Sequence, residues 1–90
     1  MIIADLEWDD ENVRHIARHG VTPEEVEDIC FGSHISEREC NRRYVLSGQT
    51  GAGRYLNVVI ERIGRGLFRP ITAFEMSDIY KRSYRRRAGK

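Results

Sequence analysis

Apolar residues recur along this chain at two periods, and the period changes near its middle. Between Asp10 and His19, Val13, Ile16 and Ala17 fall at helical spacing, and between Pro23 and Phe31 a second stripe carries Val26 and Cys30. From Arg54 to Arg62 the chain alternates instead. Leu56, Val58 and Ile60 face one way and Tyr55, Asn57, Val59 and Glu61 the other, which predicts a strand. Arg42–Ser47 alternates more weakly around Tyr44 and Leu46. Leu67–Ala73 predicts a further strand, although Pro70 has no N–H to give a ladder and marks an edge or a bulge. Ile2–Trp8 reads as a short first strand and His34–Cys40 as a loop or a poor strand. A final helix follows Ser77, with Ile79, Tyr80 and Tyr84 on its apolar side.

Residues with specific backbone chemistry mark the boundaries. Asp9 suits the N-cap of the first helix and Gly20 the left-handed residue that stops it. Thr22 then caps a second helix, with Pro23 at its first position, Glu25 closing a capping box, and Val21 and Val26 placed as a hydrophobic staple. Gly32 ends that helix. Gly48 to Gly53 holds three glycines in six residues, but it lies between two strands and lacks the Gly-Lys-Ser ending of a phosphate-binding loop, so it reads as a hairpin connection. The expected fold class is α+β: an antiparallel meander of three to four strands, two N-terminal helices and one C-terminal helix, the helices mainly on one face of a two-layer sandwich. Residues 1–84 form one domain, and 85–90 a basic tail expected to fray.

Composition adds bounds. Ninety residues, 40% apolar and 32% charged, support one modest core. No apolar run approaches the length of a membrane span, and acids follow Met1-Ile2-Ile3-Ala4 too soon for a signal peptide. Cys30 and Cys40 fit neither a disulfide framework nor a zinc site. Cys30 lies on an apolar stripe and reads as a buried thiol, and a cytoplasmic setting is the default. The net charge of +1 hides a division: residues 1–40 carry eleven acids and three bases, residues 41–90 twelve bases and three acids. Acidic helices resting against a basic sheet would explain it, and so would a surface for phosphates or for an acidic protein.

Candidate chemistry narrows by elimination. His15 and His19 stand four apart on one helix, yet no glutamate completes a zincin pattern and His34 is the only other imidazole, so neither a metal nor another cofactor is expected. No serine sits in a nucleophile elbow. Metal-free cleavage of RNA suits the residues best: it needs a base for the 2′-hydroxyl proton, an acid for the leaving oxygen and cations for the five-coordinate phosphorus. Arg43, Arg54, Arg62 and Arg69 lie on or beside predicted strands, and their planar forks grip phosphate in two places. His19 at the hinge is the natural proton carrier, with Arg18 beside it, and Glu61 is a second proton-transfer candidate. The bland counterparts are a structural histidine near a helix end and solvated arginines. Arg85 and Arg86, with Arg87, add RNA affinity without selectivity.

In order, Trp8-Asp9, Arg18-His19-Gly20, Thr22-Pro23-Glu24-Glu25-Val26, Arg43-Tyr44, Gly48, Gly53-Arg54-Tyr55-Leu56-Asn57-Val58-Val59, Glu61-Arg62, Arg69-x-Ile71-Thr72-Ala73 and Tyr84 resemble the BrnT family of toxins from type II toxin–antitoxin systems. The likeness covers about Leu6 to Tyr84. It implies a RelE-like fold, a metal-independent ribonuclease that halts translation, and neutralisation by a cognate antitoxin, usually a ribbon-helix-helix protein, through which the pair would reach operator DNA. It also implies that Arg18, His19, Arg54, Glu61 and Arg62 form the active surface. Phe74 stands where the family has arginine and Tyr80 where it has glutamate. A catalytically weakened module that binds an antitoxin or nucleic acid is therefore the alternative expectation.

Overall fold

The computed structural model describes residues 1–89; Lys90, the last residue of the expected tail, lies outside the described residues. Helix boundaries follow the capping chemistry. Asp9 accepts from the backbone N–H of Asn12 (3.0 Å) while the Asn12 side chain returns to the backbone N–H of Asp9 (2.9 Å), opening α1 (Asp10–Ala17). Gly20 takes φ +70°, the left-handed turn that glycine adopts without strain. Thr22 and Glu25 then close the second box, at 3.2 and 3.0 Å, around the start of α2 (Pro23–Phe31). The first helix buries Asn12 and Ile16, leaves Val13 half-buried and exposes Ala17, so its inward stripe is narrower than the sequence suggests. The Asn12 amide accounts for its own burial: it donates to the carbonyls of Glu7 (2.9 Å) and Pro70 (3.2 Å), tying α1 to the sheet.

The sheet has five strands rather than three or four, and it is mixed rather than antiparallel. The strands are β1 (Asp5–Leu6), β2 (His34–Cys40), β3 (Arg43–Gln49), β4 (Tyr55–Gly64) and β5 (Leu67–Glu75), in the spatial order β1-β5-β4-β3-β2. Strand β1 is parallel to β5 through Leu67 and Phe68 and is two residues long, not the seven of Ile2–Trp8. The other pairings are antiparallel. His34–Cys40 is a true edge strand, solvated along most of its length, which is why its side chains show no alternation. Strand β3 runs on to Gln49, leaving only residues 50–54 for the turn. Pro70 sits where the β4–β5 register shifts, as its missing donor demands.

Alternation gives the sheet two unlike faces. Leu46, Leu56, Val58 and Ile60 point toward α1 and α2 and, with Ile16, Val26, Ile29, Phe68 and Ala73, are fully buried in the main core. Ser47, Tyr55 and Asn57 point the other way, where α3 (Asp78–Arg87) lies. The Tyr80 hydroxyl is 3.1 Å from Ser47 Oγ, and the Tyr84 ring meets Tyr55 edge-on at 6.0 Å. Lys81 Nζ stands 5.3 Å above the Tyr55 ring, and Arg87 reaches Glu37 at 3.0 Å. The helices therefore flank the sheet on both faces, which corrects the two-layer expectation. Ile79, expected on the apolar side of α3, is 77% exposed because Tyr80 and Tyr84 are the residues turned inward. Helical bonding continues through Arg87, past the point at which the basic tail 85–90 is expected to fray.

Candidate functional site

The arginines of the sheet fall into two groups. Arg54, the residue before β4, reaches back to the hinge between the helices. Its Nη1 donates to the Gly20 carbonyl (2.8 Å) and to both Glu25 oxygens (2.9 Å each), and its Nε to Glu75 (3.2 Å). Its hydrogen bonds to Glu25 and then to Glu75 push its pKa further up. Burial works to raise the Glu25 carboxyl, but the Thr22 backbone N–H and Arg54 outweigh it and hold the group below its ordinary value. Glu25 thus caps α2 and fastens it to the sheet at once. Arg69 is equally committed: it bonds Asp9 at 2.6 Å and lies 3.3 Å from Glu7 and 3.2 Å from Glu11. That contact, followed by the Asn12 backbone N–H, draws the Asp9 pKa down to about 2. Arg43 faces Glu61 across the β3–β4 ladder at 3.6 Å. Arg62 lies over the Phe68 ring, 5.6 Å from its centroid.

The outer side of α1 presents the other group. Arg14, His15, Arg18 and His19 repeat at a spacing of four, so the two guanidinium groups and the two imidazoles form neighbouring rows. The His15 and His19 ring centroids are 5.7 Å apart. Among the described residues neither Arg14 nor Arg18 makes an ion pair or a side-chain hydrogen bond. Arg14, His15 and Arg18 line a cleft of about 510 Å³ between α1 and the Arg69–Ile71 segment of β5. The charge along this cleft is graded. Its α1 N-terminal end carries Asp9 and Glu11 gathered on Arg69, and its far end carries the unpaired cations. His19, next to Arg18 and outside the cleft lining, is exposed, with its ring 6.5 Å from the Phe74 ring.

Phe74 also belongs to a second cleft, of about 420 Å³, on the α3 side of the sheet, lined by Glu37, Arg38, Glu39, Val45, Asn57, Phe74 and Tyr80. Asn57 is 4% exposed at its base, and its Oδ1 accepts from Ser47 Oγ at 2.8 Å. With Ser47 donating to Asn57, the Tyr80 hydroxyl donates to Ser47, so α3 fixes the amide through one hydroxyl.

The hinge brings Arg18, His19 and Arg54 together, and the imidazole is open to solvent as expected. Arg54 contributes a clasp there rather than a free fork. Glu61 and Arg62 do not join them. Phe74, beside His19, and Phe68, beneath Arg62, are six residues apart on β5, roughly 20 Å at strand rise. Arg43 belongs with Glu61, Arg69 with its carboxylates, and Arg85 and Arg86 are exposed on the last turn of α3. His15 is the functional candidate that sequence reasoning set aside with the metal question. Its spacing to His19 was the available signal. No group of three His, Cys, Asp or Glu residues is placed to hold a metal among the described residues. Burial, then the nearby Glu27 charge, raises the Cys30 thiol to about 12, so it is an inert core residue; Cys40 is exposed. No described helix is long and apolar enough to cross a membrane. No family model, curated protein or solved structure matches the chain.

Proposed function

We propose that this chain is a cytoplasmic, metal-independent ribonuclease of the toxin type, held in check by a cognate antitoxin. The observation that carries the proposal is the pair of imidazoles, His15 and His19, 5.7 Å apart and flanked by the unpaired Arg14 and Arg18. The resemblance to BrnT toxins at Arg18-His19-Gly20 points to the same hinge, and a RelE-like assignment of the sheet belongs to this proposal.

The chemistry needs two proton carriers on opposite sides of one phosphorus. One imidazole, neutral, accepts the 2′-hydroxyl proton as O2′ attacks phosphorus. The other, protonated, donates to O5′ as the P–O5′ bond breaks. The products are a 2′,3′-cyclic phosphate and a 5′-hydroxyl end, and the two imidazoles have exchanged protonation states. Arg18 and Arg14 neutralise the dianionic phosphorane. Arg54 positions the hinge and touches no substrate. Glu61 and Arg62 have no step in this scheme. A ribbon-helix-helix antitoxin, and operator DNA reached only through it, complete the proposed setting.

A second reading is a binding module with weakened catalysis, favoured by one observation: Phe74 and Tyr80 bring aromatic rings to the α3-side cleft instead of charge, while Arg54 is tied through Nη1 and Nε to Gly20, Glu25 and Glu75. Incubation of the purified protein with total RNA in chelator separates them. The nuclease proposal expects cyclic-phosphate fragments and loss of cleavage by about 10²- to 10⁴-fold in His19→Ala. Intact RNA after long incubation leaves the binding module.

A further inference from the structure

We infer that the cleft between α3 and the sheet is a nucleobase slot, which takes one unpaired base of a single-stranded RNA whose phosphate lies at His19. The slot rests on the nuclease reading only for where the phosphate goes; its own walls make the case for the base. Phe74 and Tyr80 supply aromatic surface and Val45 an apolar contact, while Asn57 lies at the bottom. Phe74 is 39% exposed, unusual for a phenylalanine in a sheet, and its ring is shared between the slot and the His19 imidazole. A base stacked there therefore leaves its own phosphate next to the imidazole pair and the Arg14–Arg18 row, with no gap between recognition and chemistry.

Asn57 supplies the second, independent observation. The residue is only 4% exposed, and its Oδ1 accepts from Ser47 Oγ, which the Tyr80 hydroxyl holds in turn. Its Nδ2 makes no hydrogen bond among the described residues, and it is not one of the sealed-off orphan atoms, of which Trp8 Nε1 is the only one. A buried amide, oriented by a hydroxyl relay and left with unused N–H donors at the base of an aromatic cleft, matches the acceptor edge of a planar heterocycle. The rim carries two carboxylates, Glu37 and Glu39, against Arg38 and the Arg87 that pairs with Glu37, so its charges balance. Single-stranded RNA is read in this way, by bases splayed from the backbone onto aromatic rings, with the backbone held by cations.

The test is equilibrium binding, by fluorescence anisotropy, of a single-stranded 2′-O-methyl RNA octamer, which cannot supply the attacking hydroxyl. The same octamer without its bases is the control. Removing the bases is expected to weaken binding about tenfold, Phe74→Ala to weaken it by a similar factor, and the two losses to coincide rather than multiply. An abasic octamer that binds as tightly as the intact one, or Phe74→Ala bound as tightly as the parent, overturns the slot and leaves the cleft to a protein segment. The abasic comparison uses the unaltered protein, so it stands whether or not the variant folds. Cleavage of unmodified RNA by a protein indifferent to the bases removes the slot and keeps the nuclease. Base-dependent octamer binding with unmodified RNA left intact keeps the slot and removes the nuclease.

Discussion

Arg54 and Arg18 lie within reach of the same hinge and do opposite things. Arg54 meets two carboxylates and a backbone carbonyl and is spent on holding α2 and the end of β5 to the start of β4. Arg18, at the end of α1, meets no described partner and faces a cleft. The contrast repeats along α1, whose first turn lends Glu11, and whose cap lends Asp9, to Arg69, while Arg14 near its last turn stays free. Part of the charge division between the two halves of the chain is therefore consumed inside the molecule, with Glu7, Asp9, Glu11, Glu25 and Glu37 of the first half closing on Arg54, Arg69 and Arg87 of the second. Cations left over after that neutralisation, not cations in general, mark the surface available to an anion.

Several substitutions would break or sharpen this contrast. The largest effect is expected at the imidazoles: His15→Ala is expected to lower RNA cleavage by about 10²-fold or more with the unfolding midpoint unmoved, since the ring is only half-buried and bonds nothing. Normal cleavage by His15→Ala would leave His19 as the lone proton carrier. Next is Arg54→Ala, expected to cost about 1–3 kcal/mol in denaturant unfolding because it strands the Gly20 carbonyl and the partly buried Glu25. A wild-type midpoint would mean that the clasp is ornamental.

A smaller effect comes from acid. The Asp9 carboxyl titrates near 3.8 when free and at about 2 when folded. A depressed carboxyl stabilises the folded state above its free value and loses that contribution as pH falls toward the folded one. Unfolding midpoints should therefore drop between about pH 4 and pH 2 with a slope that Asp9→Asn, still able to cap α1, reduces. An unchanged slope would remove the Asp9–Arg69 pair from the list of committed charges. Smallest of all is Glu61→Gln, expected to change cleavage less than about twofold, because Glu61 faces Arg43 and lies far from His19. A tenfold loss would return Glu61 to the active surface.

Much of the fold is legible locally. The Asp9 cap, the Thr22–Glu25 capping box, Gly20, the β4 alternation and the Pro70 irregularity are written in neighbouring residues, where spacing alone decides. What escapes the sequence is non-local or unpatterned. Ile2–Trp8 marks a first strand, but its limit to Asp5–Leu6 and its parallel pairing with Leu67 and Phe68 are set by residues far along the chain. Strand β2 shows no period because both its sides meet water. The face chosen by α3 depends on Tyr80 and Tyr84 finding Ser47 and Tyr55, which no helical repeat specifies. At the site, His19 and Arg18 are identifiable from the hinge. Which arginines are tied down is not, because Arg54 and its partners Glu25 and Glu75 are 29 and 21 residues apart and become neighbours only on folding.

The sharpest measurement is a paired one on Arg18→Ala and Arg54→Ala, recording the unfolding midpoint and, at a temperature where each is folded, the rate of RNA cleavage. Arg18→Ala should keep its midpoint and lose most of its cleavage, and Arg54→Ala should lose stability and keep its rate per folded molecule. Full cleavage by Arg18→Ala together with none by folded Arg54→Ala would place the phosphate on the clasp and contradict the division on which the whole account rests.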